Sequence, residues 1–152
     1  MNEKCIKVIA TGFGSGYSPF APGTAGTIVG VLFYYVFSPF PWPIYLLTIL
    51  ALSFLACYVS GAAERIFEQK DPPAIVIDEI AGLLWAMFLI TPTVLHVFLA
   101  FVLFRIFDIA KVFPANLCER RLSGGYGVVA DDVVAGIYAN VTLQVLIGIW
   151  GI

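Results

Sequence analysis

The residues of this chain that could do chemistry are concentrated in one polar stretch, 105–136, of an otherwise apolar sequence. Arg105, Asp108 and Lys111 recur every three residues near the end of a hydrophobic run. Asp131 and Asp132 stand side by side at the start of the next run. Charges at the edge of an apolar layer are costly unless they are paired or used. We therefore interpret this stretch as half of an active site.

A second pair of acids, Asp78 and Glu79, opens an earlier apolar run. Helix capping explains one acid of each pair, because a carboxylate at a helix N-terminus accepts hydrogen bonds from free N–H groups. Capping leaves the second acid of each pair unexplained. Because adjacent helical residues point about 100° apart, one acid can cap the helix while its neighbour turns toward the bundle. Asp108 has a structural alternative of its own, as an ion-pair partner of Arg105 and Lys111 on one helical face.

The alternative to capping and ion pairing is a metal site. Three helix ends that bring Asp78, Glu79, Asp108, Asp131 and Asp132 together would need a divalent cation. A site made only of oxygen ligands suits Mg²⁺. The neighbouring basic side chains could then hold an anion, since arginine forms a fork to phosphate and lysine acts as a point charge.

Residues 11–27 are rich in glycine and proline, and this composition predicts a loop or a broken helix. The backbone N–H groups around Gly23 could converge on an anion, and Thr24 and Thr27 begin the first apolar helix. The stretch fits neither a Walker A loop nor a dinucleotide-binding fingerprint. A flexible turn explains the same composition equally well.

The elements that must position these groups are apolar. The 152 residues predict a single domain, 1–152. Hydrophobic residues make up 61% of the chain and charged residues 12%, whereas soluble domains are about a quarter charged. Lipid is therefore expected to cover part of the surface. The formal charge of −2, with no basic stripe, argues against a nucleic-acid partner. Three cysteines without paired spacing favour inert, reduced thiols.

Five apolar segments predict an all-α, membrane-embedded bundle of about five helices behind a Gly/Pro-rich N-terminal loop. They lie at about 24–38, 44–63, 76–90, 94–112 and 132–151, with prolines at or beside the breaks. If the segments cross a bilayer alternately, every Lys, Arg, Asp and Glu falls on one side. The positive-inside rule makes that side cytoplasmic. The single histidine, His96, falls near the opposite side and is expected to be structural.

Three stretches of the chain resemble the phosphatidylglycerophosphatase A family. They are SPFAPGTAGT at 18–27, IVIDEIAG at 75–82 and FRIFDIAKVFPANLCERRLSGGYGVVADDVVAG at 104–136. The order and spacing of the three motifs are specific, and the resemblance extends over nearly the whole chain. One departure is visible at Lys111-Val112, where the family tends to have Lys-Pro.

The resemblance implies a Mg²⁺-dependent hydrolase of the bacterial cytoplasmic membrane. Its substrate would be phosphatidylglycerophosphate, whose terminal phosphomonoester is removed to give phosphatidylglycerol. The five acids would be catalytic and metal-binding, and substrate binding is expected at Gly23, Thr24, Thr27, Arg105 and Lys111. The oligomeric state is left open, as is the choice of metal ligands and general base among the acids.

Two other functions are compatible with parts of the pattern. A small cation transporter or channel would place acids along a pathway in mid-helix, whereas here they gather at one end of the segments. A CDP-alcohol phosphotransferase would require a longer series of spaced aspartates, which the Asp131-Asp132 pair does not match.

Overall fold

In a computed structural model of the chain, the described residues form seven α-helices. The structure describes residues 1–151, except for the side chains of Glu119 and Arg120. The helices are α1 (Glu3–Ala10), α2 (Pro22–Phe37), α3 (Trp42–Phe67), α4 (Ile77–Ala86), α5 (Val94–Ala110), α6 (Ala115–Arg121) and α7 (Gly125–Trp150). A short 3₁₀ turn, Ser15–Tyr17, lies in the glycine-rich segment. The described residues contain no β-strand, so the all-α prediction is confirmed.

The short helix α4 lies at the centre of the fold, in contact with α2, α3, α5 and α7. Its ten residues give a length of about 15 Å, half the thickness of a hydrocarbon layer. The chain turns out of the helix at Leu89, which has a φ of +60°. Buried Asn140 of α7 donates to the carbonyl oxygens of Ala86 (2.9 Å) and Phe88 (2.7 Å). These bonds satisfy carbonyl groups that a helix end otherwise leaves unpaired.

Helices α4 and α7 cross at two glycines, Gly82 and Gly136. A Cβ atom added at Gly136 would collide with the carbonyl oxygen of Gly82. One added at Gly82 would lie 2.8 Å from the carbonyl oxygen of Asp132. Small residues allow helix backbones to approach this closely. The crossing therefore holds Asp132 beside the first turns of α4.

Replacement of Gly136 by alanine is expected to destabilise the protein by about 1–3 kcal/mol, because the new methyl group meets backbone atoms that cannot move aside. The apparent melting temperature of the purified protein in detergent measures this. Gly148→Ala is the matched control, since Gly148 lies on the same helix and an added Cβ would meet nothing within 4 Å. Equal melting temperatures for the two variants would contradict the close crossing.

Helices α3 and α7, with 26 residues each, are long and apolar enough to cross a membrane. Helix α2 is apolar but shorter, and α4 covers only the first part of the predicted segment 76–90. The described residues therefore provide two candidate spans by length and composition, and the expected five spanning helices are not confirmed.

The predicted start of the fifth apolar segment, at residue 132, is wrong because the helix begins earlier in the chain. Helix α7 starts at Gly125 instead of residue 132, and the predicted break 113–131 contains α6 and the first turns of α7. Gly125 packs against α3 so closely that a Cβ there would collide with the carbonyl oxygen of Cys57. Asp131 and Asp132 consequently lie well inside α7. They cannot cap its N-terminus, and the capping interpretation is wrong for this pair.

Candidate active site

A cavity of about 360 Å³ opens where the first turns of α2 and α4, the last turns of α5 and the first third of α7 meet. It brings together all seven charged residues that were predicted from the sequence, with Gly23 beside them. The charged lining residues include Asp78, Glu79, Arg105, Asp108, Lys111, Asp131 and Asp132.

Three of the acids form a group that could hold a metal ion. One carboxylate oxygen from each of Asp78, Glu79 and Asp132 lies within 4.8 Å of the other two. Asp78 and Asp132 are buried, and Oε2 of Glu79 is buried without a hydrogen-bond partner. A buried acceptor with no donor, in a donor set made only of carboxylates, fits a hard cation such as Mg²⁺.

The pKa shifts of Asp78 and Glu79 also favour a cation at this group. Burial raises the pKa of the Asp78 carboxyl well above its ordinary value, and the neighbouring charge of Glu79 adds to the effect. Burial also raises the pKa of Glu79, while hydrogen bonding to Asp78 and the charge of Arg105 oppose the rise. Crowded carboxylates of this kind resist ionisation unless a positive charge lies among them.

The Asp78 carboxylate also has a local role in α4. Its Oδ1 accepts a hydrogen bond of 3.1 Å from the backbone N–H of Glu79 in the first turn. The N-cap residue of α4 is Val76, which makes no side-chain cap hydrogen bond, so neither acid is the cap and both line the cavity.

Arg105 links the group to α5 and α2. Its NH1 lies 2.7 Å from Oδ2 of Asp108, one turn along α5, and 3.9 Å from Oε1 of Glu79. A Cβ added at Gly23 would collide with the Glu79 carboxylate and lie 3.1 Å from both terminal nitrogens of Arg105. Gly23 therefore allows the first turn of α2 to lie directly against the guanidinium group.

Lys111 is paired with an acid of another helix. Helix α5 ends at Ala110, and Lys111 adopts a left-handed conformation with a φ of +43°. Its Nζ donates to Oδ2 of Asp131 on α7 at 3.0 Å. The site thus contains three clustered acids and two acid–base pairs, Arg105–Asp108 and Lys111–Asp131.

The two threonines predicted to bind substrate lie elsewhere. Thr27 is buried, and its hydroxyl donates to the carbonyl oxygen of Gly23 at 2.8 Å within α2. Neither Thr24 nor Thr27 is among the residues that line the cavity. His96 lies far from the site, about 18 Å back along α5 from Asp108. Its Nδ1 is 3.0 Å from the carbonyl oxygen of Thr91.

Asp71 is a cavity residue that the sequence did not single out. It lines the opening and adds negative charge near Asp78. Its backbone is left-handed, with a φ of +46°, and its N–H donates to Oε1 of Glu64 at 2.8 Å. The acid stands in a charged loop before two prolines, where no periodicity distinguishes it from ordinary surface residues.

Comparison with known proteins decides the family. The sequence model described as "Phosphatidylglycerophosphatase A" matches residues 8–147. The chain belongs to the phosphatidylglycerophosphatase A family. It is therefore an enzyme, a lipid phosphatase, and the transporter and phosphotransferase alternatives are not supported. Its motifs at 18–27, 75–82 and 104–136 all fall within the matched range.

Individual relatives cover most of the chain. Phosphatidylglycerophosphatase A of Escherichia coli is 35% identical over 132 residues, 86% of this chain and 76% of the relative. Its namesake in Haemophilus influenzae is 36% identical over 91% of this chain and 86% of the relative. A putative phosphatidylinositol-3-phosphatase of Bacteroides thetaiotaomicron is 38% identical over 91% of each chain. No solved structure matches.

Proposed function

We propose that the protein hydrolyses the terminal phosphomonoester of phosphatidylglycerophosphate to phosphatidylglycerol and phosphate. The observation that supports this best is the grouping of Asp78, Glu79 and Asp132 within 4.8 Å, in one cavity with two basic side chains. Names of the E. coli and H. influenzae relatives supply the substrate. The three acids would hold Mg²⁺, which when bound would reduce the charge of the phosphate and activate water.

Arg105 and Lys111 are suited to hold the phosphate. The Arg105 side chain is 17% exposed and presents a planar fork that matches two phosphate oxygens. Lys111 is 34% exposed and contributes a mobile point charge. Gly23 places the first turn of α2 against Arg105, and the positive end of that helix favours an anion at the same position.

Asp108 is our candidate for the general base. It lies outside the group of three acids, and its charge acts on both Glu79 and Asp132. The guanidinium of Arg105, 2.7 Å from Oδ2 of Asp108, fixes the position of this carboxylate at the edge of the cavity. Asp108 would take a proton from water as the water oxygen bonds to phosphorus and the phosphorus–oxygen ester bond breaks. A proton then returns to the leaving glycerol oxygen.

The site is proposed to face the cytoplasm in a multi-pass protein of the bacterial inner membrane. All lysines, arginines and acids fall on one side of the predicted segments, and the positive-inside rule assigns that side to the cytoplasm. Single cysteines at Phe40 and at Lys70, in a variant without native cysteines, test this. Impermeant maleimide applied to intact cells should label the first and not the second, and the reverse pattern would refute the orientation.

The activity is tested by phosphate release from purified protein in Mg²⁺. Phosphatidylglycerophosphate is expected to be the better substrate, and phosphatidylinositol 3-phosphate is the competitor suggested by the Bacteroides relative. Glycerol 3-phosphate controls for hydrolysis that does not depend on the lipid. A higher kcat/KM for the inositol lipid, or release from neither lipid, would overturn the proposal.

A further inference from the structure

Two exposed apolar residues, Phe20 and Ile109, belong to or directly adjoin the segments that line the active-site cavity. Phe20 is 85% exposed, the highest value among the large hydrophobic residues described, and Ile109 is 73% exposed. Ile109 itself lines the cavity, as do Ala21 and Pro22, which directly follow Phe20. The polar cavity therefore has an apolar edge between the start of α2 and the end of α5.

The two sides of this edge lie close to each other. Arg105 lies against Gly23 of α2. Ile109 follows Arg105 by four residues, so it lies on the same face of α5, one turn nearer the helix end. Phe20 precedes Gly23 by three residues and lies just before the start of α2 at Pro22. The apolar edge thus lies about one helical turn from the guanidinium of Arg105, which we propose binds the substrate phosphate.

The backbone on the α2 side is held in place while the aromatic ring projects outward. The hydroxyl of Ser18 donates to the carbonyl oxygen of Phe20 at 2.8 Å. Ala21 then adopts a left-handed conformation, with a φ of +45°, and Pro22 begins the helix. On the α5 side, Ile109 lies between Asp108 and Lys111 in the sequence. An exposed aliphatic side chain at this polar end is unfavourable in water, and lipid would cover it.

We propose that Phe20 and Ile109 form a lateral portal that holds the acyl chains of the lipid substrate while its phosphate occupies the cavity. This inference rests on the proposed function. A phospholipid must keep its chains in an apolar medium while its terminal phosphate reaches Arg105. An opening with an apolar edge on one side and a cationic group one helical turn deeper satisfies both requirements. The two residues then determine selectivity for the lipid over a soluble phosphomonoester.

The test compares two substrates that differ only in chain length. Purified full-length protein in phosphatidylcholine vesicles is assayed with dipalmitoyl phosphatidylglycerophosphate and with dihexanoyl phosphatidylglycerophosphate supplied as soluble monomers. In Phe20→Ser and Ile109→Asn, the ratio of kcat/KM for the long-chain to the short-chain lipid should fall about tenfold. The conservative variants Phe20→Trp and Ile109→Leu should keep the wild-type ratio.

Val94→Asn is the matched control, because Val94 is 83% exposed at the other end of α5 and lies outside the cavity lining. Its ratio should equal that of the wild type. A wild-type ratio in both portal variants would overturn the proposal, as would equal losses on the two substrates. Wild-type protein that hydrolyses neither lipid would refute the proposed function itself, so the two failures are distinguishable.

Discussion

Treatment of the purified protein with EDTA is expected to reduce phosphate release to the background rate, and excess Mg²⁺ to restore it. The carboxylates of Asp78, Glu79 and Asp132 lie close together, and their charges would repel one another. Arg105 lies 3.9 Å from Glu79 and offsets part of this repulsion. A divalent ion would relieve this repulsion, and its binding would stabilise the folded state by mass action. Mg²⁺ should therefore also raise the apparent melting temperature.

Thiol modification provides the control for this experiment. Cys57 and Cys118 line an apolar groove formed with α7, and neither is among the residues of the active-site cavity. N-ethylmaleimide should therefore leave phosphate release and the response to Mg²⁺ nearly unchanged. Full activity in the chelator, with no effect of Mg²⁺ on melting, would exclude the metal-dependent mechanism.

The convergence of the charged residues could be predicted from the sequence because the signal is strong. In a chain with 12% charged residues, acids and bases that all fall at one end of the apolar segments must meet in a few places. Proline-marked breaks gave approximate bounds for α2, α3 and α5. The sequence motifs named the family, and the family match confirms it.

Other features depend on tertiary contacts that have no local signal. The glycines before Asp131 are typical of a loop, yet Gly125 is helical because α7 packs against the backbone of α3 there. The early end of helix α4 depends on Asn140, which lies far along the chain. Its side chain donates hydrogen bonds to carbonyl oxygens at the end of α4, so these groups need no further helical turn as partners. The pairing of Lys111 with Asp131 accompanies the end of α5 at Ala110, where Lys111 leaves the helix. Spacing alone could not distinguish these arrangements.

Replacement of Asp132 by asparagine is expected to lower kcat/KM by more than about a hundredfold while the protein remains folded. Asparagine keeps the shape of the side chain but removes a charged ligand. Loss of groups that merely orient a ligand already costs about 10- to 100-fold. Because Asp132 lies well inside α7, the loss cannot be attributed to a missing helix cap.

Melting curves separate a metal ligand from a structural residue at this position. In metal-free buffer, Asp132→Asn should melt at or above the wild-type temperature, because a neutral amide replaces one of three buried carboxyl groups that disfavour one another's ionisation. Added Mg²⁺ should then raise the melting temperature less than it does in the wild type. A structural role would give the opposite pattern, a lower melting temperature without metal and an unchanged response to Mg²⁺.

Two neighbouring acids provide matched comparisons for Asp132. Asp131→Asn removes the partner of Lys111 but leaves the group of three acids intact. It should lower activity less than Asp132→Asn does and should keep the stabilisation by Mg²⁺.

Asp108→Asn should also keep that stabilisation, yet lose about 10²- to 10⁴-fold in kcat if Asp108 is the general base. Wild-type turnover in Asp108→Asn would make it a structural partner of Arg105. A larger loss of the Mg²⁺ response in Asp131→Asn than in Asp132→Asn would move the metal site to the other acid of the pair.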